Sequence, residues 1–246
     1  MTKVKIAVRT YLVILLFSFA SISVLAQEEK KNILVVPFAP YHFLSSFDLQ
    51  EMANFNKLSS PGDVVDAVQD GLLKGIATSK SKFNFTTIPP NEYQAIKHLI
   101  DPEFIAEPTG RYGIDLSKLK SSQSFQTLLK NFNIDYVLFL THYRIDKKLY
   151  TSGRSFDGSY AIAWSSHLLD YELINAEENL VAMAREFEIK PNAPTLENYF
   201  MKGLLLSELN GGHRELLKDI QFKIEQFNET KEAQFKVKRK RKSKRK

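Results

Sequence analysis

The sequence predicts an α/β protein: a single mixed sheet of about five strands that ends in an antiparallel meander, with helices packed against it. Three observations predict this. The first half alternates short β-branched apolar runs with amphipathic helical stretches, an order that needs crossover connections and parallel pairing. From 134 to 190, three long extended segments follow one another with only short turns between them, which makes an antiparallel meander. Helical periodicity returns after 195.

Asn32 to Phe38 (NILVVPF) has the length and β-branched content of a strand buried on both faces, and Pro37 and Pro40 end it. Residues 39–60 make a long aromatic connection with one helical turn from Asp48. A helix starts at Ser60, which caps it, with Pro61 in the first turn and Asp63 three residues after the cap. Val65, Val68, Leu72 and Ile76 form its apolar stripe, and Gly75 weakens its end. Lys82 to Ile88 reads as a second strand, stopped by Pro89 and Pro90. Asn91 caps a short helix through Ile100, and residues 101–120 read as a loop.

A helix over 122–131 turns Phe125, Leu128, Leu129 and Phe132 inward. Asp135 to Thr141 (DYVLFLT) is the most apolar run after the first 26 residues and the best central strand. The meander follows as 134–150, 157–174 and 179–190. Gly153 and Gly158 bracket its first bend, and Asn175 to Asn179 makes the second. In the last segment Val181, Met183, Phe187 and Ile189 share one face, opposite Ala182, Ala184, Glu186 and Glu188. Helices over 195–209 and 212–228 close the body, parted by Gly211 and Gly212.

The two ends differ from this body. Residues 1–26 read as an export signal: Lys3, Lys5 and Arg9 precede an apolar run from Tyr11 to Ala20, and Val24 and Ala26 suit cleavage before Gln27. An uncleaved anchor is the alternative. Residues 236–246 (KVKRKRKSKRK) form a block of nine cations with no acid, expected to be a disordered solvated tail. The formal charge of +6 is therefore uneven: without the +3 of the signal and the +9 of the tail, the body 27–235 carries −6. A nucleic-acid-binding fold usually carries its basic stripe on the fold itself, so no specific nucleic-acid partner is expected.

The strand NILVVPF, the helix after it, the strand IDYVLFLTHYRI (134–145) and the turn region LLDYELINAEENLVAMAREFEI (168–189) together resemble the CsgG-type curli transport family and the amino-terminal domain of the TolB translocation protein. Periplasmic penicillin-binding-protein activators share that general fold. The resemblance covers about residues 32–230 and implies an envelope-accessory fold. There is no cysteine to carry a lipid anchor.

That absence also removes disulfides, thiolate metal sites and Cys nucleophiles. No nucleophile elbow, phosphate loop or dinucleotide fingerprint occurs, so no cofactor is expected; Gly110–Gly113 and Gly153–Gly158 read as turns. His142 and His167 fall on neighbouring strands, with Asp170 the one close carboxylate, which offers a metal or catalytic cluster. Asp63, Asp66 and Asp70 line one helix face, where the helix dipole and solvent account for them. Trp164 with Tyr160 and Ile162 reads as core.

Tyr41, Phe43, Phe47 and Phe55 lie in the connection after the first strand, where α/β proteins often place ligands; they either fold back as core or form a partner-binding surface. The tail cations Lys236, Lys238, Arg239, Lys240, Arg241, Lys242, Lys244, Arg245 and Lys246 attract polyanions. For an exported chain these are lipid head groups, lipopolysaccharide or wall polymers, unless the tail serves solubility alone.

The expectation is a non-enzymatic exported protein of the periplasm or outer membrane, with a protein partner for the body and an anionic surface for the tail. An envelope-polymer hydrolase using His142, His167 and Asp170 is the alternative. Secreted DNA binding through the tail alone is a third reading.

Overall fold

The opening apolar run stands between two parallel neighbours. In the computed structural model, β1 (Lys31–Val36) pairs with β3 (Phe83–Thr87) on one side and with β6 (Tyr136–Ser155) on the other, both in parallel. β7 (Gly158–Asn175) and β8 (Leu180–Ile189) extend the sheet antiparallel from β6, giving the order β3-β1-β6-β7-β8. The structure describes residues 30–105, 110–155, 158–189 and 213–243, with the backbone alone over 147–165 and 235–243. The export signal, the helix expected over 195–209 and Lys244–Lys246 lie outside the described residues, as do the side chains of Tyr160, Ile162 and Trp164.

Side-chain alternation in β1 serves two cores at once. Ile33 and Val35 face one layer of helices, α1 (Leu49–Phe55), α2 (Pro61–Thr78) and α6 (His213–Ser243). Leu34 and Val36 face the other, formed by α3 (Pro90–Ile96), α4 (Leu116–Ser121) and α5 (Gln123–Asn131). The expected mixed α/β architecture is what forms, with helices on both sheet faces.

Local signals placed several elements. Ser60 and Asp63 close a capping box at the start of α2, with the Asp63 carboxylate accepting from the Ser60 N–H at 2.9 Å. Asp66 and Asp70 face solvent, the role the dipole argument gives them. Asp48 caps α1 and Ser122 caps α5.

Other expectations change. Asn91 sits inside α3, which starts at Pro90 with Pro89 as its uncapped neighbour, so Asn91 caps nothing. Residues 101–120 contain a small hairpin, β4 (Glu103–Ile105) and β5 (Arg111–Gly113), followed by α4. The connection 39–60 contains β2 (Phe43–Ser45), which runs parallel to β6 just past the end of β1. Pro37 and Pro40, which cannot donate to a ladder, separate the two strands.

The alternation expected in β8 also fails. Ala182 and Ala184 share the first core with Phe187 and Ile189, and the register to β7 slips between Leu169 and Tyr171. Glu186, at φ 53°, is the extra residue of that bulge, and one inserted residue reverses which side chains face the core.

The basic tail is a further difference. The last helix does not stop near 228; its backbone stays helical through Ser243, across most of the segment expected to be disordered. Lys and Arg are good helix formers, cations suit a helix C-terminus, and extending an existing helix avoids the cost of nucleation.

Candidate functional site

Opposite the break between β1 and β2, the register of β6 on β7 slips between Leu140 and His142, leaving Thr141 as an extra residue. Before this bulge Leu138 and Leu140 face the first core; after it Tyr143 and Ile145 do. His142 is thereby turned to the other face of the sheet, where it meets His42 from the end of the 3-10 turn Pro40–His42. The two imidazoles lie 4.4 Å apart, tilted by 35°.

Each imidazole has a carboxylate beside it. His42 Nε2 is 3.3 Å from Asp101, and His142 Nδ1 is 3.9 Å from Asp170. Burial nevertheless holds both below the usual imidazole range, against the pull of Asp101 on His42 and of Asp170 on His142; the neighbouring His42 lowers His142 further. Both are therefore neutral near pH 7.

Aromatic rings continue this pair in both directions. Tyr41 packs edge-on against His42 at 4.4 Å and is 67% exposed. Tyr112 lies 5.9 Å from His142 and pairs across the hairpin with Phe104, which is 68% exposed. The result is an aromatic and histidine strip running from the 3-10 turn to the β4–β5 hairpin. Beneath it, a crevice bordered by Pro37, Tyr93, Asp101 and Thr141 encloses only about 10 Å³, room for one water. Tyr41, Tyr112 and Phe104 thus present the strip to solvent.

A buried ion cluster holds the hairpin in place. Glu172 of β7, fully buried, accepts from Arg111 of β5 at 2.8 Å and from Arg185 of β8 at 2.7 Å, and the Ile114 N–H points at the same carboxylate. Arg185 also donates to the Tyr112 carbonyl at 2.5 Å. Gly113 lies so close that any Cβ there would overlap Glu172 Oε1 and the Arg111 guanidinium. Sequence reading missed this hairpin; its trace is the alternation in Glu103-Phe-Ile and Arg111-Tyr-Gly on either side of a stretch whose sequence holds Pro108 and Gly110.

The sequence-expected sites fare differently. Phe43 and Phe47 are buried, and Phe55 packs against the same core, so of the four rings expected to form a partner surface only Tyr41 faces solvent. Phe43 stacks on the buried Tyr143 at 5.7 Å, and burying such rings outweighs displaying them.

His142, His167 and Asp170 do not converge. His142 and Asp170 are register partners on one face, while His167 lies buried on the other, sharing a 3.0 Å hydrogen bond with the Tyr143 hydroxyl. Burial lowers His167 to about 4. The Thr141 bulge is the reason: in an unbroken ladder His142 would have faced the His167 side. No group of three or more His, Asp or Glu among the described residues is placed to hold a metal ion.

The backbone of residues 236–243 continues α6. Leu216, Leu217, Ile220 and Ile224 bury one side of α6, and Lys231 reaches Glu177 in the β7–β8 turn at 2.8 Å. The helix backbone carries Lys236 roughly 18 Å past Ile224 and continues through Lys238, Arg239, Lys240, Arg241 and Lys242. No helix among the described residues is long and apolar enough to cross a membrane.

The molecule thus belongs to the broad class of mixed α/β domains with an exposed aromatic strip. No family model matches the chain, and no curated protein matches it. Among solved structures it is similar to a neuraminyllactose-binding hemagglutinin homolog from Helicobacter pylori, at 8% identity and a TM-score of 0.39, over 84% of this chain and 95% of that one. The hypothetical protein CT253 from Chlamydia trachomatis matches at 8% identity and a TM-score of 0.32, over 81% of this chain and 98% of that one.

Proposed function

We propose that this protein is a non-enzymatic exported accessory of the cell envelope, whose body docks a protein partner and whose basic helix end binds an anionic surface. The observation that carries this reading is the division of α6: one end is seated in the core, and the other bears the cationic run. A helix anchored this way presents its charges away from an acidic body, and multiple cations on one element bind anionic surfaces in a strongly salt-dependent manner. The signal-like residues 1–26 and the CsgG- and TolB-type resemblance support the envelope setting.

Flotation with vesicles of phosphatidylcholine and phosphatidylglycerol tests the tethering role, with lipopolysaccharide and wall polymer as parallel probes. Binding is expected to fall steeply as salt rises, and to vanish when the Lys and Arg of 236–246 are replaced by Gln in the full chain. Undiminished binding by that variant would refute it.

The partner-docking role rests on Tyr41, Tyr112 and Phe104, since exposed aromatic rings supply much of the energy at protein interfaces. A photo-crosslinker placed at Leu44, itself exposed, is expected to capture a discrete partner from envelope extracts. Capture should fail in a Tyr41→Ala, Tyr112→Ala double variant and persist in Phe222→Ala, which removes an exposed ring on α6. The hydrolase alternative needed His142, His167 and Asp170 in one cleft, and His167 lies on the opposite sheet face from the other two.

A further inference from the structure

β1 and β3 lie side by side in parallel, yet the chain leaves their carboxyl ends towards opposite faces of the sheet: from β1 to α1 and α2, from β3 to α3. In open α/β sheets, the crevice at such a point is where ligands bind. The crevice beneath the aromatic strip opens there, bordered by Val36, Pro37 and Ala39 at the end of β1 and by Tyr93 and Lys97 after β3. We infer, on the basis of the docking role proposed for the strip, that this crevice is a socket for one primary ammonium head, that of a lysine on the partner.

Asp101 supplies the charge. Its ion-pair neighbour among the described residues is His42, 3.3 Å away, and burial keeps that imidazole neutral near pH 7. Lys97 also borders the crevice, but it is exposed and pairs with no carboxylate among the described residues. The Asp101 carboxylate therefore stands without a cation of its own. Its field reaches the rings around it: burial first, and Asp101 second, hold the Tyr41 and Tyr93 hydroxyls above the usual phenol range.

Rings and size select the cation. Tyr41, His42 and Tyr93 line the crevice together with the buried Phe139, and aromatic faces attract cations, most strongly where water is partly excluded. A carboxylate among such rings suits a compact positive charge. Space of about 10 Å³ takes a group the size of one water, which an ammonium head matches and the planar guanidinium of arginine exceeds. Tyr41 borders the crevice and is largely exposed, so the methylene stem of a lysine from a strip-bound partner has apolar surface to lie along.

Titration of the full-length protein with Nα-acetyl-lysine methylamide, followed by NMR of ring-labelled Tyr and His, tests this. Saturable shifts of Tyr93 and His42 are expected, with the arginine amide as the control for charge and the norleucine amide as the control for the apolar stem; neither should saturate in the same range. Asp101→Asn should weaken binding about tenfold, as loss of a charge-assisted hydrogen bond does, and Tyr93→Leu about threefold. If Tyr93→Leu impairs folding, judged by its thermal midpoint, Asp101→Asn at an exposed position decides the outcome. Equal binding of the three amides overturns the socket, as does undiminished binding by Asp101→Asn. Crosslinking at Leu44 separates this inference from the docking reading. Capture that is lost with Tyr41 and Tyr112 but unchanged in Asp101→Asn leaves docking standing and overturns the lysine. Saturation by the lysine amide with no capture at all upholds the ammonium socket and overturns the partner, leaving a free primary amine as the ligand.

Discussion

The Arg111 guanidinium lies 2.8 Å from the fully buried Glu172 carboxylate, and this pair joins the β4–β5 hairpin to the face of the sheet. Arg185 completes the cluster from β8, so three separate segments meet on one carboxylate. Removing a buried charge from such a cluster leaves its partners uncompensated. Glu172→Gln is expected to cost about 3 kcal/mol in urea unfolding. Arg185→Ala, removing a partner that is a third exposed, should cost less. Equal small losses for both would show that the cluster does not hold the hairpin.

Neighbouring aromatic residues should behave oppositely. Phe43→Ala empties a buried site against Phe38 and Tyr143 and should destabilise by about 3–5 kcal/mol. Tyr41→Ala, two residues earlier and largely exposed, should stay within about 0.5 kcal/mol. Denaturation midpoints of the two variants check both numbers.

Gly75 of α2 lies directly against the His213 ring of α6. Alanine is worth about 1 kcal/mol over glycine in a helix, but here its Cβ would collide with the His213 ring. Gly75→Ala is therefore expected to destabilise the wild-type protein and to stabilise a His213→Ala background. A thermal double-mutant cycle reads the coupling, and additive effects would place the two residues apart.

Acid should weaken the fold. His42, His142, His167 and His213 are all held below the usual imidazole range, mainly by burial. The unfolded chain then binds more protons than the folded one, so stability is complete above pH 6.5 and declines as pH falls towards 4, the value to which His167 is lowered. The slope per histidine is at most about 1.4 kcal/mol per pH unit. Glu178, raised by burial, acts in the opposite sense, because its protonation favours the fold at low pH. Urea midpoints across this range should show the decline, and His167→Gln should flatten it. An unchanged slope in that variant would mean that His167 titrates like a solvated imidazole.

Much of the scaffold was legible because its signals are local. Ser60 and Asp63 mark a helix start by spacing alone, and NILVVPF and DYVLFLT mark doubly buried strands by composition. The hairpin Glu103–Gly113 was not legible, since its strands are only three residues long and are stabilised by Glu172, distant in sequence. The aromatic connection was half legible. Its rings were visible, but whether Phe43, Phe47 and Phe55 turned inward depended on β2 pairing with β6.

By itself, the amino-acid sequence determined the mixed α/β class, the order of the main elements and the uneven distribution of charge, because periodicity, capping and composition act over a few residues. Tertiary structure alone decided which side chains meet. One extra residue at Thr141 and another at Glu186 reverse the facing of everything beyond them. A bulge arises from how two strands pair, and so His142 stacks on His42 and not on the His167 that sequence spacing had offered it.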